Sequence, residues 1–476
     1  MNIFQTIKQE TVSLRNKIAV IDGERNISYA QLISHVDIFA ALLRRAGVCR
    51  FDRVGLLCRD SIEYITAGLA VLSVSAVVVP VAAEHTEAEI SEILEGLEVN
   101  YLVFEKDAYN DEKAVRLESV DFFQKELYIL NRSNKGEPEK EYYNINPAFI
   151  RFSSGTTGKS KGVVLSHRTI IERTSSADKG LHITSDDTVL WVLSMSYHFV
   201  VSILLFLRRA ATIVICSRRF PESLLEGVRK HKGTFIYASP LHYNLLATSD
   251  MLSSAALENI RLAVSTAVKL PENIADIFYG KFGIHLSEAY GIIEVGLPFV
   301  NLSADKGRMD SVGKALPDYE IKIINKDTEG VGQIRIKGKG MLDAYFSPWQ
   351  NRESLLDKGW FNTGDLGRID EDGYLTIVGR DKDVINFAGM KVFPYEVESV
   401  INTYPGVKES YVCGERHPQY GHLPVAKIVL EEGLTKEMNF YDLRRFCYQR
   451  LTRYKVPKDF EFVQAISKTV SGKVKR

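Results

Sequence analysis

Short apolar runs alternate with segments of helical spacing over the first hundred residues. Lys17 to Asp22 and Asn26 to Tyr29 read as a strand pair turning at Gly23-Glu24. Ser28 is placed as an N-cap. Leu32, Ile33, Val36, Phe39, Ala40 and Leu43 follow on one helical face, and Gly47 stops the helix. Arg53 to Cys58 reads as a strand, Ser61 to Ser75 as a helix, and Val77 to Val81 as a β-branched strand of a buried parallel sheet. Thr86 and Glu89 form a capping box for a helix to about Leu97, and Tyr101 to Phe104 is the next strand. Strands alternating with helices predict an α/β layered domain.

Asp107 to Asn146 is more polar and reads as a surface excursion. Ala148 to Phe152 and Val163 to Leu165 then read as two strands around a loop, with a helix from about His167. Val189 to Leu193, Thr212 to Cys216, Phe235 to Ala238 and Ile260 to Ser265 are further strands, and the segment 194 to 199 opens a helix. Near Gly313 the pattern changes. Ile321 to Ile324 and Gln333 to Lys337 look antiparallel, with glycines at the turns. After Arg380 comes a stretch with its own strand order and a helix at Tyr441 to Leu451, the mark of an appended α+β domain.

Composition narrows the class. A chain of 476 residues is too long for one ordinary core. A hydrophobic share of 45% and a charged share of 25% are those of a soluble globular protein. Basic and acidic residues balance at 60 each, so charge gives no case for nucleic acid. The five cysteines form no CxxC pair and fit free thiols in a reducing compartment. The N-terminus lacks a signal peptide's apolar core, and the most apolar stretch, Leu69 to Ala83, is too short to span a bilayer. The expectation is a cytoplasmic protein with no transmembrane segment.

The loop between the two strands at 148 and 163 carries the chemistry. Gly155, Gly158 and Gly162 let backbone N–H groups approach a ligand. Ser153, Ser154, Thr156 and Thr157 add hydroxyl donors, and Lys159 and Lys161 add positive charge. Together they make a cradle for a polyphosphate. The spacing is not that of a Walker A loop. A plain hairpin turn is the other reading, but a turn rarely needs so many glycines, hydroxyls and lysines together.

This segment closely resembles the phosphate-binding signature of the adenylate-forming enzymes: acyl- and aryl-CoA synthetases, peptide-synthetase adenylation domains and luciferases. The match holds except at Ser160, where the family usually has Pro. Further family motifs follow in order. Tyr290-Gly291-Ile292-Ile293-Glu294 stands for Y-G-x-T-E, with Ile293 in place of a Thr that donates to phosphate. The resemblance implies that Tyr290 packs on adenine and Glu294 helps to hold Mg2+. Phe361 to Asp365 matches the motif whose Asp grips the ribose hydroxyls. Gly379 to Ile385 resembles the family hinge, with Arg380 reaching ribose or phosphate and Lys382 at the hinge position. Gly389 would line the tunnel for an incoming thiol. Ser467 to Lys473 matches the C-terminal motif, and Lys473 its adenylation lysine.

The same resemblance places His198 at the gate of an acyl pocket that Thr266 and Ala267 border. A lone His is as often structural. No Asp stands near Tyr197-His198-Phe199, which argues against an α-amino acid substrate. The expected architecture is an α/β N-terminal domain, residues 1–381, of sheets covered by helices plus a small β-barrel-like part. A mobile α+β domain, 382–476, follows. The expected reaction uses ATP and Mg2+ to turn a fatty or aromatic carboxylic acid into an acyl adenylate. The acyl group then passes to the thiol of CoA or of a carrier-protein phosphopantetheine. A nucleotide-binding member with reduced or lost catalysis is the alternative.

Overall fold

The computed structural model describes all residues except 118–122, 133–135, 154–160, 432–438, 469–473 and 475–476. Ser154, Gly155, Thr156, Thr157, Gly158 and Lys473 therefore lie outside the described residues, as does Ser160. The chain divides into two compact units. One is Met1–Glu320 with Lys337–Phe361; the other is Ile321–Ile336 with Asn362–Arg476. The 381/382 boundary expected from sequence follows chain order, whereas the contacts group 362–381 with the second unit.

The first unit is built on two large sheets. In the first, Leu262–Ser265, Phe235–Ala238, Thr188–Trp191, Thr212–Ile215 and Ile18–Asp22 lie side by side in parallel. Leu286–Ile292 and Gly296–Val300 extend one edge and Arg25–Ser28 the other. In the second, Val77–Pro80, Arg53–Leu57 and Tyr101–Glu105 run in parallel next to the hairpin Pro147–Ser153 and Lys161–Ser166. Every residue of Val77–Pro80 is buried, as an all-apolar central strand requires. The helices begin where the sequence signals put them. Ser28 and Thr86 each complete a capping box, for Tyr29–Arg45 and Glu87–Gly96.

One expectation is corrected. The stretch from Asp107 to Asn146 is not all surface excursion. Leu127–Asn131 pairs antiparallel with Tyr101–Glu105 and extends the second sheet, with Val115–Arg116 outside it. Leu127, Ile129 and Leu130 are buried. The run is short and flanked by Lys125 and Glu126, so composition over the whole stretch hides it.

A four-stranded sheet, Tyr319–Ile324, Gly332–Gly338, Phe361–Ile369 and Leu375–Arg380 in spatial order, stands where the small barrel-like part is expected. The rest of the second unit is an α+β layer. Met390–Val392, Ile385–Phe387, Gly421–Leu430 and Val407–His417 form a sheet, with Asp459–Phe462 also beside Gly421–Leu430. Pro394–Ile401 and Phe440–Tyr448 cover it through Val397, Ile401, Leu443 and Cys447, which pack with Val412, Ile428 and Phe460.

Candidate active site

The site in the first unit starts from the hairpin on either side of the cradle loop. Ser153 pairs with Lys161 and Arg151 with Val163, and Val163 pairs in turn with Tyr345 of the short strand Ala344–Tyr345. Partners across a ladder share a face, and so do residues two apart on a strand. Arg151, Lys161 and Tyr345 therefore project from one side of the sheet. The Lys161 ammonium sits 4.5 Å from the centroid of the Tyr345 ring. The Tyr345 hydroxyl donates to Glu294 Oε1 at 3.2 Å. Tyr345 thus joins the cradle strand to the Tyr290–Glu294 motif. Burial, with the Glu294 charge next, holds its phenol well above the ordinary range, so it stays a donor.

Gly162 has a packing reason as well. A Cβ there would lie 2.4 Å from a Leu97 methyl and 2.9 Å from one of Ile150. Gly291 is required in the same way, since a Cβ would meet the carbonyl oxygen of Gly296 at 2.4 Å. Tyr290 lies on the strand Leu286–Ile292 with its ring 6.0 Å from that of Phe299. Glu294 follows in the turn, and its carbonyl accepts from the Leu342 N–H at 2.7 Å.

Arg173 holds that turn from beneath. It is fully buried in the helix His167–Leu181. Nη1 donates to the carbonyl of Ile293 at 3.0 Å, and Nε and Nη2 donate to that of Gly340 at 3.0 and 2.8 Å. Burial pulls its pKa down to about 10, still cationic at neutral pH.

His198 ends the short helix Met195–His198. Its ring meets those of Trp191 and Tyr237 edge to face, at 5.8 and 6.0 Å, and Tyr237 stacks on Trp191. Thr266 lies beside the Tyr237 phenol, and burial pushes that phenol up to about 12. Thr266 is buried, and Ala267 follows at φ 75, a left-handed conformation that suits glycine better. The structure therefore brings His198 and Thr266 together around an aromatic pair. Asp60 anchors the His198 segment, accepting from the Met195 N–H and the Ser217 hydroxyl, each at 2.9 Å. Desolvation raises its pKa to about 7.

In the second unit, Asp365 and Arg380 are cross-strand partners, with Arg380 Nε 2.9 Å from Asp365 Oδ1. Asp365 is buried, and its N–H donates to the Thr363 hydroxyl at 3.0 Å. Lys382 is exposed in the turn Asp381–Asp383. Gly389 is exposed at φ 82, the tip of the hairpin between Ile385–Phe387 and Met390–Val392.

Residues 8–346 match the model of the AMP-binding enzyme family, and residues 396–473 match that of the AMP-binding enzyme C-terminal domain. The chain belongs to the AMP-binding enzyme family. This AMP-binding enzyme is 29% identical to a putative acyl–CoA ligase, YdaB, of Bacillus subtilis, over 96% of this chain and 94% of that one. It is 28% identical to 4-coumarate–CoA ligase 3 of Oryza sativa subsp. japonica, over 96% and 88%. Among solved structures, ATP-bound MatB from Rhodopseudomonas palustris superposes with a TM-score of 0.84 at 24% identity, covering 100% of this chain and 97% of that one. The o-succinylbenzoate–CoA synthetase MenE of Bacillus subtilis, with AMP, gives 0.85 at 23%, over 100% and 97%. At these identities the structural likeness speaks to the fold alone. With the family and these relatives, the AMP-binding enzyme is an AMP-forming acid–thiol ligase that activates a carboxylic acid with ATP.

Four residues of the site escape the motif reading. Arg151 had a signal: it is the one charged residue in the apolar run Ala148 to Phe152. Asp60, Arg173 and Tyr345 had none, since each meets the site only through strand order or helix packing. Among the described residues, no helix is long and apolar enough to cross a membrane. Nor do any three His, Cys, Asp or Glu side chains gather as a metal site. A cation at Glu294 would draw its other ligands from nucleotide phosphates, as hard, oxygen-seeking Mg2+ commonly does.

Proposed function

We propose that this ligase activates a fatty or aromatic acid, not an α-amino acid, at the cleft marked by Lys161, Tyr345 and Glu294. A carboxylate oxygen of the acid attacks the α-phosphorus of ATP. The bond from that phosphorus to pyrophosphate breaks, and an acyl adenylate forms. The cradle residues Ser153, Ser154, Gly155, Thr156, Thr157 and Gly158, with Lys161, hold the phosphates. Tyr290 packs on the base and Gly291 lets the chain pass close. Asp365 takes the ribose diol with Arg380 beside it. Glu294 carries Mg2+, and Lys473 neutralises the approach of two anions.

In the second half, the part of the chain from about 382 turns at Lys382. A thiol then reaches the acyl carbon past Gly389 and displaces AMP. His198, Thr266 and Ala267 shape the acyl pocket. The acceptor is CoA or a carrier-protein phosphopantetheine, and the names of the relatives favour CoA. Five free cysteines support a cytoplasmic setting.

The observation that carries this reading is the Lys161–Tyr345–Glu294 contact, which joins a phosphate-loop lysine to a metal-type carboxylate through one ring. The test is acid-dependent exchange of labelled pyrophosphate into ATP over aryl, short, medium and long acids, with Glu294→Gln and Lys473→Ala alongside. Exchange that depends on one acid class and falls at least a hundredfold in both variants is expected. ATP binding without exchange on any acid would favour the second reading, a nucleotide-binding member with reduced turnover. Ile293 in the place of a hydroxyl donor supports that one.

A further inference from the structure

Arg151 is a cation that the reaction described above does not use. It interrupts the apolar strand Pro147–Ser153 and stands on the same face as Lys161 and Tyr345. Ser153 pairs with Lys161, and Arg151 lies two residues before Ser153, about 7 Å farther from the loop tip. It therefore sits past the phosphate end of the cleft, toward the acyl segment. Its own contacts agree. Nη1 donates to the carbonyl of Tyr197 at 2.7 Å, and the guanidinium lies 4.8 Å from the centroid of the Tyr197 ring. Tyr197 directly precedes His198, whose ring packs in the aromatic group with Trp191 and Tyr237.

The charge is poorly compensated. Among the described residues no carboxylate forms an ion pair with Arg151, and Nε, shielded from solvent, has no hydrogen-bond partner. Among the described residues Glu294 is the carboxylate whose field reaches it, and Glu294 is itself held by Tyr345. Desolvation is the largest influence on Arg151 and lowers its pKa. A half-buried guanidinium whose Nε is shielded from solvent and unpartnered costs free energy unless an anion completes it. The triphosphate and the reacting carboxylate have Lys161 and Lys473 under the proposed mechanism. An anion for Arg151 must come from the acyl side.

We propose that Arg151 is a specificity-determining residue that binds a second anionic group of the acid, so that the preferred substrate is a dicarboxylic or similarly doubly acidic compound. This inference rests on the acid-activating reading above and names its substrate class. Guanidinium and carboxylate meet through paired N–H···O bonds, which an apolar tail or an ester cannot form.

The test compares dicarboxylic acids, aliphatic and aromatic, with their own monomethyl esters in pyrophosphate exchange. The native enzyme, Arg151→Met and Arg151→Lys are run together. The native enzyme is expected to favour a diacid over its half-ester about tenfold or more in kcat/KM. Arg151→Met should lose roughly a hundredfold on the diacid while keeping half-ester activity within about threefold, and Arg151→Lys should recover part of the loss. A native preference for half-esters across the series overturns the proposal, as does an equal loss on both substrates in Arg151→Met. If no acid supports exchange, the parent reading fails, and calorimetry still decides this one. Diacid binding that Arg151→Met abolishes sustains it, and no diacid binding by the native protein overturns it.

Discussion

The hydroxyl of Tyr345 stands 3.2 Å from Glu294 Oε1, while the face of the same ring carries the Lys161 ammonium. One aromatic side chain thus fixes the carboxylate proposed for the metal and the lysine proposed for phosphate. Tyr345→Phe keeps the ring and its cation contact but removes the donor to Glu294. A hydrogen bond to a charged acceptor is worth roughly 1.5–3 kcal/mol, so pyrophosphate exchange should fall about tenfold or more. The loss should appear mainly at subsaturating Mg-ATP. An unchanged rate would mean that Glu294 needs no orienting partner.

Arg173 supports the same turn from the core. Three of its N–H groups satisfy the carbonyls of Ile293 and Gly340, and the residue has no exposed surface. Arg173→Met fills much of the space but leaves both carbonyls without those donors. The expected cost is about 3 kcal/mol in stability, read as a fall in the urea midpoint. Arg173→Lys should restore some exchange activity, because a lysine can still serve one carbonyl. Gly340→Ala should fail alongside. Gly340 has φ 69, and its added Cβ would lie 2.5 Å from the Arg173 backbone nitrogen.

How far the site could be read from sequence follows from these residues. Glycine, hydroxyl and lysine positions around the cradle announce themselves, because phosphate binding needs several such groups close together in the chain. Asp365 and Glu294 are legible through their motifs. Tyr345 and Arg173 are not, since they reach Glu294 and the carbonyl of Ile293 beside it across more than fifty residues of chain and only after the strands are ordered. The fold shows the same division. Capping boxes at Ser28 and Thr86 are local chemistry and appear in place. The strand Leu127–Asn131 depends on a free side of Tyr101–Glu105, which no local signal shows.

Glu288 gives a prediction in pH. It is buried on the strand Leu286–Ile292, accepts only a 3.3 Å bond from the Leu270 N–H through Oε1, and leaves Oε2 without a partner among the described residues. Desolvation raises its pKa from 4.5 to about 8. The folded protein therefore holds this proton where the unfolded chain has released it. Stability from this group is fully present below about pH 4.5 and declines as pH rises to about 8, then levels off. Glu288→Gln carries no such titration. Native and variant melting temperatures, matched at acid pH, should separate in favour of the variant up to about pH 8. Parallel curves across that range would show that the carboxyl is ionised in the fold.

Ile293 is the departure in the Tyr290–Glu294 motif that bears most directly on rate. Its side chain is part-exposed in the turn, whereas its carbonyl is fixed by Arg173 Nη1 at 3.0 Å. The backbone is thus held independently of what the side chain is. Threonine is β-branched like isoleucine and prefers similar rotamers, so Ile293→Thr should leave the turn in place. It adds a hydroxyl where the resemblance puts a donor to phosphate. The exchange rate should rise several-fold, with stability changed by no more than about 0.5 kcal/mol. A higher rate would mark the native residue as a brake on turnover. A flat rate with unchanged stability would mean that the phosphate finds its donors elsewhere, and Lys161, the cation at the phosphate end of that face of the sheet, would be the next to substitute.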